Sequence, residues 1–170
     1  MNFSAATTTD IPALEKLVNS AYRGEYSKQG WTTEADLLGG QRTDPEKLVE
    51  MISAPDSTIQ LLRVDNQLMG CVFLKVDNGA VYLGMLTVEP TQQDKKYGSL
   101  LLNHAEAWAK SRGIHLMKMT VIEGRDTLIA YYQRRGWQFT GKTEPFPMND
   151  PRFGLPKTQL MFLEMTKALA

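Results

Sequence analysis

The sequence predicts a mixed α/β (α+β) fold whose central sheet has about seven strands, accompanied by about four helices. Three observations support this fold class. Apolar residues recur at helical spacing in some segments and at strand spacing in others. Asn78-Gly79 is a strong β-hairpin signal. The segment that follows, 80–88, is apolar almost throughout, as expected of a central strand covered on both faces.

The elements are predicted in the order β-α-α-β-β-β-α-β-α-β-β. Asp10 is expected to cap the first helix and Asp44 the second, while Gly113 and Gly136 end the third and fourth. The segment 22–42 is expected to be loop or irregular helix, and the segment 144–156 is expected to be loop. The predicted strands span about 3–6, 58–64, 68–76, 80–88, 114–122, 137–141 and 159–165, and the predicted helices about 10–21, 44–52, 98–112 and 126–135.

Size and composition exclude several classes of protein. The 170 residues suit one domain, so we expect residues 1–170 to form a single unit. Nineteen basic residues balance nineteen acidic ones, which argues against nucleic-acid or membrane-surface partners. No apolar run approaches the ~20 residues of a membrane span and no signal-peptide pattern is present, so a cytoplasmic location is expected. The single cysteine, Cys71, excludes an internal disulfide and is expected to be a core thiol, with a reactive thiol as the alternative.

The most informative segment joins the apolar strand to the third helix. A polar loop at 89–97 is followed by a helix expected to begin at Gly98. The start of a helix offers several unpaired backbone N–H groups and the positive end of the helix dipole. That arrangement binds phosphate without needing a side chain.

Four local signatures occur in a consistent order around this loop. They are Leu86-Thr-Val-Glu-Pro, Gln93-Asp-Lys-Lys-Tyr-Gly98, the apolar helix from Leu100 to Lys110, and Leu128-Ile-Ala-Tyr-Tyr-Gln-Arg-Arg-Gly-Trp137. Together they resemble the GNAT superfamily of acyl-CoA-dependent N-acyltransferases, whose loop reads Gln/Arg-x-x-Gly-x-Gly/Ala. The specific resemblance covers about residues 81–137, and the element order extends it to a GNAT fold over the whole chain.

The resemblance implies acetyl-CoA as co-substrate and no metal. The pantetheine arm would pair with the strand end and the pyrophosphate would bind the loop. The implied CoA-binding residues are Leu86, Thr87, Val88, Gln93, Asp94, Lys95, Lys96, Tyr97, Gly98, Ser99 and Tyr132.

Two positions in the loop depart from the family pattern. Lys96 stands where the family has glycine, and Asp94 stands where glycine is common. Glycine adopts positive φ at no steric cost. Lys96 must therefore adopt a negative φ or accept strain of about 1 kcal/mol. We expect CoA binding that is weaker or differently shaped, with the ammonium groups of Lys95 and Lys96 as a partial offset.

The chemistry of acyl transfer directs attention to Tyr132 and Glu123. A lysine-like amine must lose a proton, at a cost of about 4 kcal/mol at pH 7.4, so a base is useful. Glu123 and Glu34 are the carboxylates best placed for that role, although a surface position is the alternative for both. Tyr132 matches the family's tyrosine that donates to the leaving thiolate, with Tyr131 as the fallback. Arg134 and Arg135 are expected to be a solvated helix end, with contacts to CoA as the alternative.

The acceptor is expected to be an amine of a small molecule or peptide. Tyr22, Trp31, Glu34 and Tyr82 are the expected substrate-binding residues. Tyr82 occupies the position at which some relatives place a catalytic glutamate, so that mechanism does not carry over. A CoA-binding sensor without catalysis is the alternative function. A homodimer is consistent with the family, and the sequence does not decide it.

Overall fold

The computed structural model of this protein describes residues 1–23, 38–39, 42–145, 155–156 and 160–170. Its strands are β1 (Asn2–Ala5), β2 (Leu38–Gly39), β3 (Ser57–Val64), β4 (Gln67–Asp77), β5 (Ala80–Val88), β6 (Leu116–Ile122), β7 (Gln138–Pro145), β8 (Leu155–Pro156) and β9 (Met161–Ala168). Its α-helices are α1 (Ile11–Tyr22), α2 (Pro45–Ser53), α3 (Tyr97–Ser111) and α4 (Asp126–Arg134). None of the helices in these ranges is long and apolar enough to cross a membrane.

Seven of the strands form one mixed sheet in the order β1-β3-β4-β5-β6-β9-β7. All neighbouring pairs are antiparallel except β5 and β6, which run parallel. Helices α1 and α2 pack with one core cluster and helices α3 and α4 with another. The sheet is thus covered by helices on both faces. This confirms the predicted fold class and the prediction that β5 is a central strand covered on both faces.

Two predicted helix caps have different outcomes. The Asp44 carboxylate accepts a hydrogen bond from the Lys47 backbone N–H at 2.7 Å, so it caps α2 as expected. Asp10 precedes α1 but makes no side-chain cap. Its carboxylate instead accepts from the Thr7 backbone N–H at 2.8 Å and from Arg63 at 2.6 Å. The Asp10 prediction was wrong because an ion pair to a neighbouring strand competes for the same oxygens.

A β-bulge interrupts the pairing of β4 with β5. Cys71 pairs with Thr87 and Phe73 with Gly84, so Met85 and Leu86 together oppose a single residue. Met85 adopts a φ of 53°, in the left-handed region that costs a non-glycine residue free energy. Its carbonyl accepts a hydrogen bond from the Thr87 hydroxyl at 2.8 Å and a weak one from the Cys71 thiol at 3.9 Å. These contacts hold the bulge in place and turn the peptide groups of Met85 and Leu86 out of the ladder.

The parallel strands β5 and β6 separate soon after they meet. Their pairing is limited to Val81 with Met117 and Tyr82 with Lys118. Beyond these pairs β5 enters the bulge while β6 continues alongside β9. A gap therefore opens in the middle of the sheet, beside the bulge.

Several boundaries differ from the predicted ones. Helix α3 begins at Tyr97, one residue early, and the preceding loop contains a 3-10 helix at Pro90–Lys95. Strand β7 extends to Pro145, beyond the predicted end at Gly141. Strands β2 and β8 pair with each other within segments expected to be loop. Two-residue strands of this kind leave no periodic pattern in a sequence.

The packing of His104 predicts how stability depends on pH. Its ring stacks on Phe3 at 4.1 Å, its Nε2 lies 2.8 Å from the Gln60 side-chain oxygen, and burial lowers its pKa. The unfolded chain therefore binds a proton at this histidine more readily than the folded chain does. The contribution of His104 to the free energy of unfolding is complete above a pH of about 6.5 and declines as the pH falls below that value. Urea denaturation between about pH 7 and pH 5 should show this decline. His104→Phe keeps a ring against Phe3 and cannot titrate, so its decline should be shallower; an equal slope in both proteins would contradict the assignment.

Candidate active site

Two adjoining cavities lie beside the bulge and the gap in the sheet. The first, of about 370 Å³, extends from the C-terminal end of β5 to the start of α3 and the last turn of α4. The second, of about 480 Å³, extends between the separated β5 and β6 toward α2 and β7. Residues that line both cavities mark the place where they meet, and these are Tyr22, Leu86, Arg125, Leu128 and Tyr132.

The first cavity contains most of the residues predicted to bind CoA. Leu86, Thr87, Val88, Gln93, Lys96, Gly98, Ser99 and Tyr132 line it. Lys95 is exposed and Tyr97 packs against the core, and neither lines this cavity. The backbone of Asp94 belongs to the 3-10 helix that precedes α3.

Helix α3 directs its N-terminus toward the first cavity. Lys96 is the residue before the helix, and the Leu100 N–H donates to its carbonyl at 3.2 Å. The N–H groups of Tyr97, Gly98 and Ser99 precede that first helical bond and are the ones a helix leaves for other acceptors. At this end the macrodipole is positive, so the arrangement suits a phosphate group.

Lys96 takes the backbone conformation of the glycine it replaces. Its φ is 63°, so it accepts the left-handed conformation, the strained one of the two options. The loop shape is therefore kept while the side chain changes. At Gly98 an added Cβ would meet only ordinary contacts, the Tyr131 hydroxyl at 3.7 Å and the Val88 side chain at 3.8 Å. An atom of methyl size would therefore fit at Gly98 without a clash.

The two arginines before Gly136 differ in position. Arg134 is exposed, as expected of a solvated helix end, whereas Arg135 lines the first cavity, so the alternative of a CoA contact stays a prediction for Arg135. Its guanidinium donates to the Ser99 hydroxyl and lies over the Tyr131 ring, 4.6 Å from the centroid. The guanidinium thus stands beside the start of α3, where it adds a charged donor that can meet a phosphate. The paired arginines before Gly136 gave no signal to separate the two.

Tyr132 lies where the two cavities meet. Its side chain is buried and packs edge-on against Tyr131 at 5.7 Å and against Trp137 at 6.2 Å. Tyr131 lines the first cavity alone, and its hydroxyl is near Gly98. Of this pair, only Tyr132 therefore lines both cavities.

Tyr22 reaches the bulge from the end of α1. Its hydroxyl donates to the Leu86 carbonyl oxygen, so the side chain is anchored beside the meeting point of the cavities. Tyr82 lines the second cavity, and its role in binding the acceptor stays a prediction. Trp31 and Glu34 lie outside the described residues.

The carboxylate predicted as base does not line either cavity. Glu123 follows β6, is exposed, and its backbone N–H donates to the Met161 carbonyl. Within the part of the chain that the structure describes, the carboxylate residue lining the second cavity is Glu144. No cluster of His, Cys, Asp and Glu suited to a metal ion occurs among the described residues.

Cys71 is a core thiol, as expected. It is fully buried, and burial raises its pKa to about 12. At neutral pH it is protonated, which excludes it as a nucleophile.

Comparison with known proteins agrees with this geometry. The family model "Acetyltransferase (GNAT) family" matches residues 12–137. The chain belongs to the GNAT acetyltransferase family. No curated protein sequence matches it.

Solved structures share the fold at low sequence identity. The ribosomal-protein-S18-alanine N-acetyltransferase from Escherichia coli superposes with a TM-score of 0.73 at 16% identity, covering 99% of this chain and 94% of that one. The ribosomal-protein-alanine N-acetyltransferase from Brucella melitensis gives 0.70 at 19%, covering 99% and 100%. A Bacillus anthracis chain described as a streptothricin acetyltransferase, in complex with acetyl coenzyme A, gives 0.59 at 18%, covering 71% and 67%.

The position of Arg135 predicts that its removal weakens the binding of ligands that carry phosphate. Arg135→Met should weaken acetyl-CoA binding about tenfold, since a hydrogen bond to a charged group contributes about 1.5–3 kcal/mol. Binding of pantetheine, which lacks phosphate, should not change. Calorimetric titration of both ligands measures the two effects, and Arg134→Met is a matched control because Arg134 is exposed and lines neither cavity. Equal losses for both ligands, or for both variants, would contradict the role of Arg135.

Proposed function

We propose that this protein transfers an acetyl group from acetyl-CoA to an amine of a small molecule or a peptide, by direct attack in a ternary complex. The observation that carries the proposal is the meeting of two cavities at the β5 bulge, one with a phosphate-binding helix start and one open to a second substrate. Family membership and the acetyl-CoA complex of one structural neighbour support the donor.

We expect acetyl-CoA, the acetyl donor, to lie along the first cavity with its diphosphate at α3 and its thioester at the bulge. Its diphosphate would bind at the start of α3, with Gly98, Ser99 and Arg135 as donors. Its pantetheine arm would follow the end of β5, from Val88 back to Leu86. The thioester then lies where the two cavities meet, beside Tyr132 and the peptide groups that the bulge turns out of the ladder.

The bulge supplies a donor for the charge that develops during attack. The neutral amine nitrogen forms a bond to the thioester carbon, and the carbonyl oxygen becomes an oxyanion. The Leu86 backbone N–H is our candidate donor to that oxygen, because Leu86 lies in the interrupted part of the ladder and lines both cavities. A donor fixed by the backbone needs no reorganisation during the reaction.

Collapse of the intermediate breaks the carbon–sulfur bond and releases CoA as a thiolate. We assign the Tyr132 hydroxyl to this leaving sulfur, since a phenol donates a hydrogen bond readily to a thiolate. The nitrogen releases its extra proton to water, and water returns a proton to Tyr132 after the thiolate has taken one, so CoA leaves as a thiol and the protons balance. Glu123 stays a prediction as base, and its exposed position gives it no support.

Tyr132→Phe should lower kcat about tenfold to a hundredfold, because it removes one proton donor and keeps the ring packing. The dissociation constant for acetyl-CoA should stay near that of the parent protein. Steady-state kinetics and calorimetry measure the two quantities. Tyr131→Phe tests the register: if that variant loses kcat and Tyr132→Phe does not, the assignment is wrong.

Measurements of acetyl-CoA binding and of thiol release distinguish an enzyme from a CoA-binding sensor. Saturating acetyl-CoA should raise the melting temperature, and thiol release should follow addition of a suitable amine from a broad panel of amines, amino acids and peptides. Binding without thiol release across the whole panel would favour a CoA-binding sensor, and no binding would remove both functions. A cytoplasmic location and a homodimer stay predictions.

A further inference from the structure

Arg42 lines the second cavity. Among the described residues, the charged side chains that line this cavity are Arg23, Arg42, Lys47, Arg125 and Glu144. The Arg42 guanidinium is a cation, so it attracts an anionic group on a bound molecule and repels an ammonium group beside it.

Arg42 is held in a defined position by its neighbours. The Asn19 side chain accepts hydrogen bonds from the backbone N–H groups of Arg42 at 2.7 Å and Thr43 at 2.9 Å, and it donates to the Thr43 carbonyl at 3.0 Å. Asn19 lies on α1, one turn before Tyr22. The Arg42 guanidinium packs over the Tyr22 ring, 5.2 Å from its centroid.

This packing connects Arg42 to the reaction centre. The Tyr22 hydroxyl is anchored to the Leu86 carbonyl at the bulge, so the ring that supports the guanidinium is itself fixed beside the thioester position. Tyr22 lines both cavities while Arg42 lines the second alone. A planar guanidinium with several N–H donors, held against an aromatic face, suits bidentate binding of a carboxylate or phosphate.

We infer that the acceptor is an amine that also carries an anionic group, and that Arg42 binds that group. The inference rests on the proposed acetyl transfer. The anionic group of such a molecule would pair with the Arg42 guanidinium and leave its amine for the thioester. Amino acids and amines bearing a carboxylate or phosphate are the substrate class that this arrangement fits.

Paired acceptors test the inference directly. We would measure kcat/KM for phenylalanine against phenethylamine, for β-alanine against propylamine, and for phosphoethanolamine against ethanolamine. At least one anionic member should exceed its partner about tenfold or more, as expected for a charge-assisted bidentate contact. The three pairs distinguish an α-carboxylate, a more distant carboxylate and a phosphate.

Variants assign the preference to Arg42. Arg42→Met should reduce the ratio of kcat/KM between the anionic acceptor and its partner about tenfold. Arg42→Lys should keep part of this ratio, because lysine retains the positive charge but lacks the planar pair of N–H donors of the guanidinium. Arg112→Met is a matched control, since Arg112 also packs on an aromatic ring, that of Trp108 at 3.6 Å, and lines neither cavity. Melting temperature and acetyl-CoA affinity should stay near the parent values in all three variants, which separates a specific effect from loss of folding.

The outcomes distinguish this inference from the proposed function. If the amines without an anionic group are the better acceptors in every pair, or if Arg42→Met leaves the ratios unchanged, the inference is wrong while acetyl transfer stands. A peptide with an unblocked N-terminus, an amidated C-terminus and no acidic side chain that exceeds all anionic amines would also overturn it. If no amine of either kind releases thiol, the proposed function itself fails.

Discussion

The β5 bulge at Met85 is the constraint on which the rest of the site depends. A left-handed φ at a non-glycine residue costs free energy, and the structure retains it because the Thr87 hydroxyl and the Cys71 thiol both satisfy the displaced carbonyl. Without the extra residue, β5 would continue in register with β4 and its peptide groups would stay in the ladder. With it, the backbone at Leu86 faces the meeting point of two cavities, where Tyr22 also contacts it.

The loop before α3 contains a second non-glycine residue with a left-handed backbone. Lys96 adopts the backbone conformation for which glycine is the usual choice, so the direction of α3 is preserved at a cost in strain. Arg135, from the end of α4, lies at the same helix start and donates to Ser99. A side chain from a distant part of the sequence thereby adds positive charge to a loop that lacks two of the usual glycines. The departure from the family pattern thus changes the chemistry of this site more than its shape.

Local patterns in the sequence sufficed to predict the fold and most of the residues that prove to line the first cavity. The hairpin glycine, the apolar β5 and the ordered signatures from Leu86 to Trp137 each depend on neighbouring residues, so a sequence displays them. Arg42 and Arg135 depend on contacts across the fold, with Tyr22 and Ser99, and no spacing rule reveals those. Asp10 was assigned to a helix cap because its partner Arg63 is far away in sequence. Charged residues were therefore the hardest to place.

The burial of Cys71 has a consequence for how this protein tolerates its own chemistry. An enzyme that holds a reactive thioester exposes its own nucleophiles to the acyl group, and a thiolate beside the bulge would be the first to be modified. The chain has one cysteine, and its thiol is inaccessible and protonated at neutral pH. It should resist self-acylation and oxidation alike. A thiol-specific dye added to the native protein would accordingly report the CoA that is released and nothing from the polypeptide.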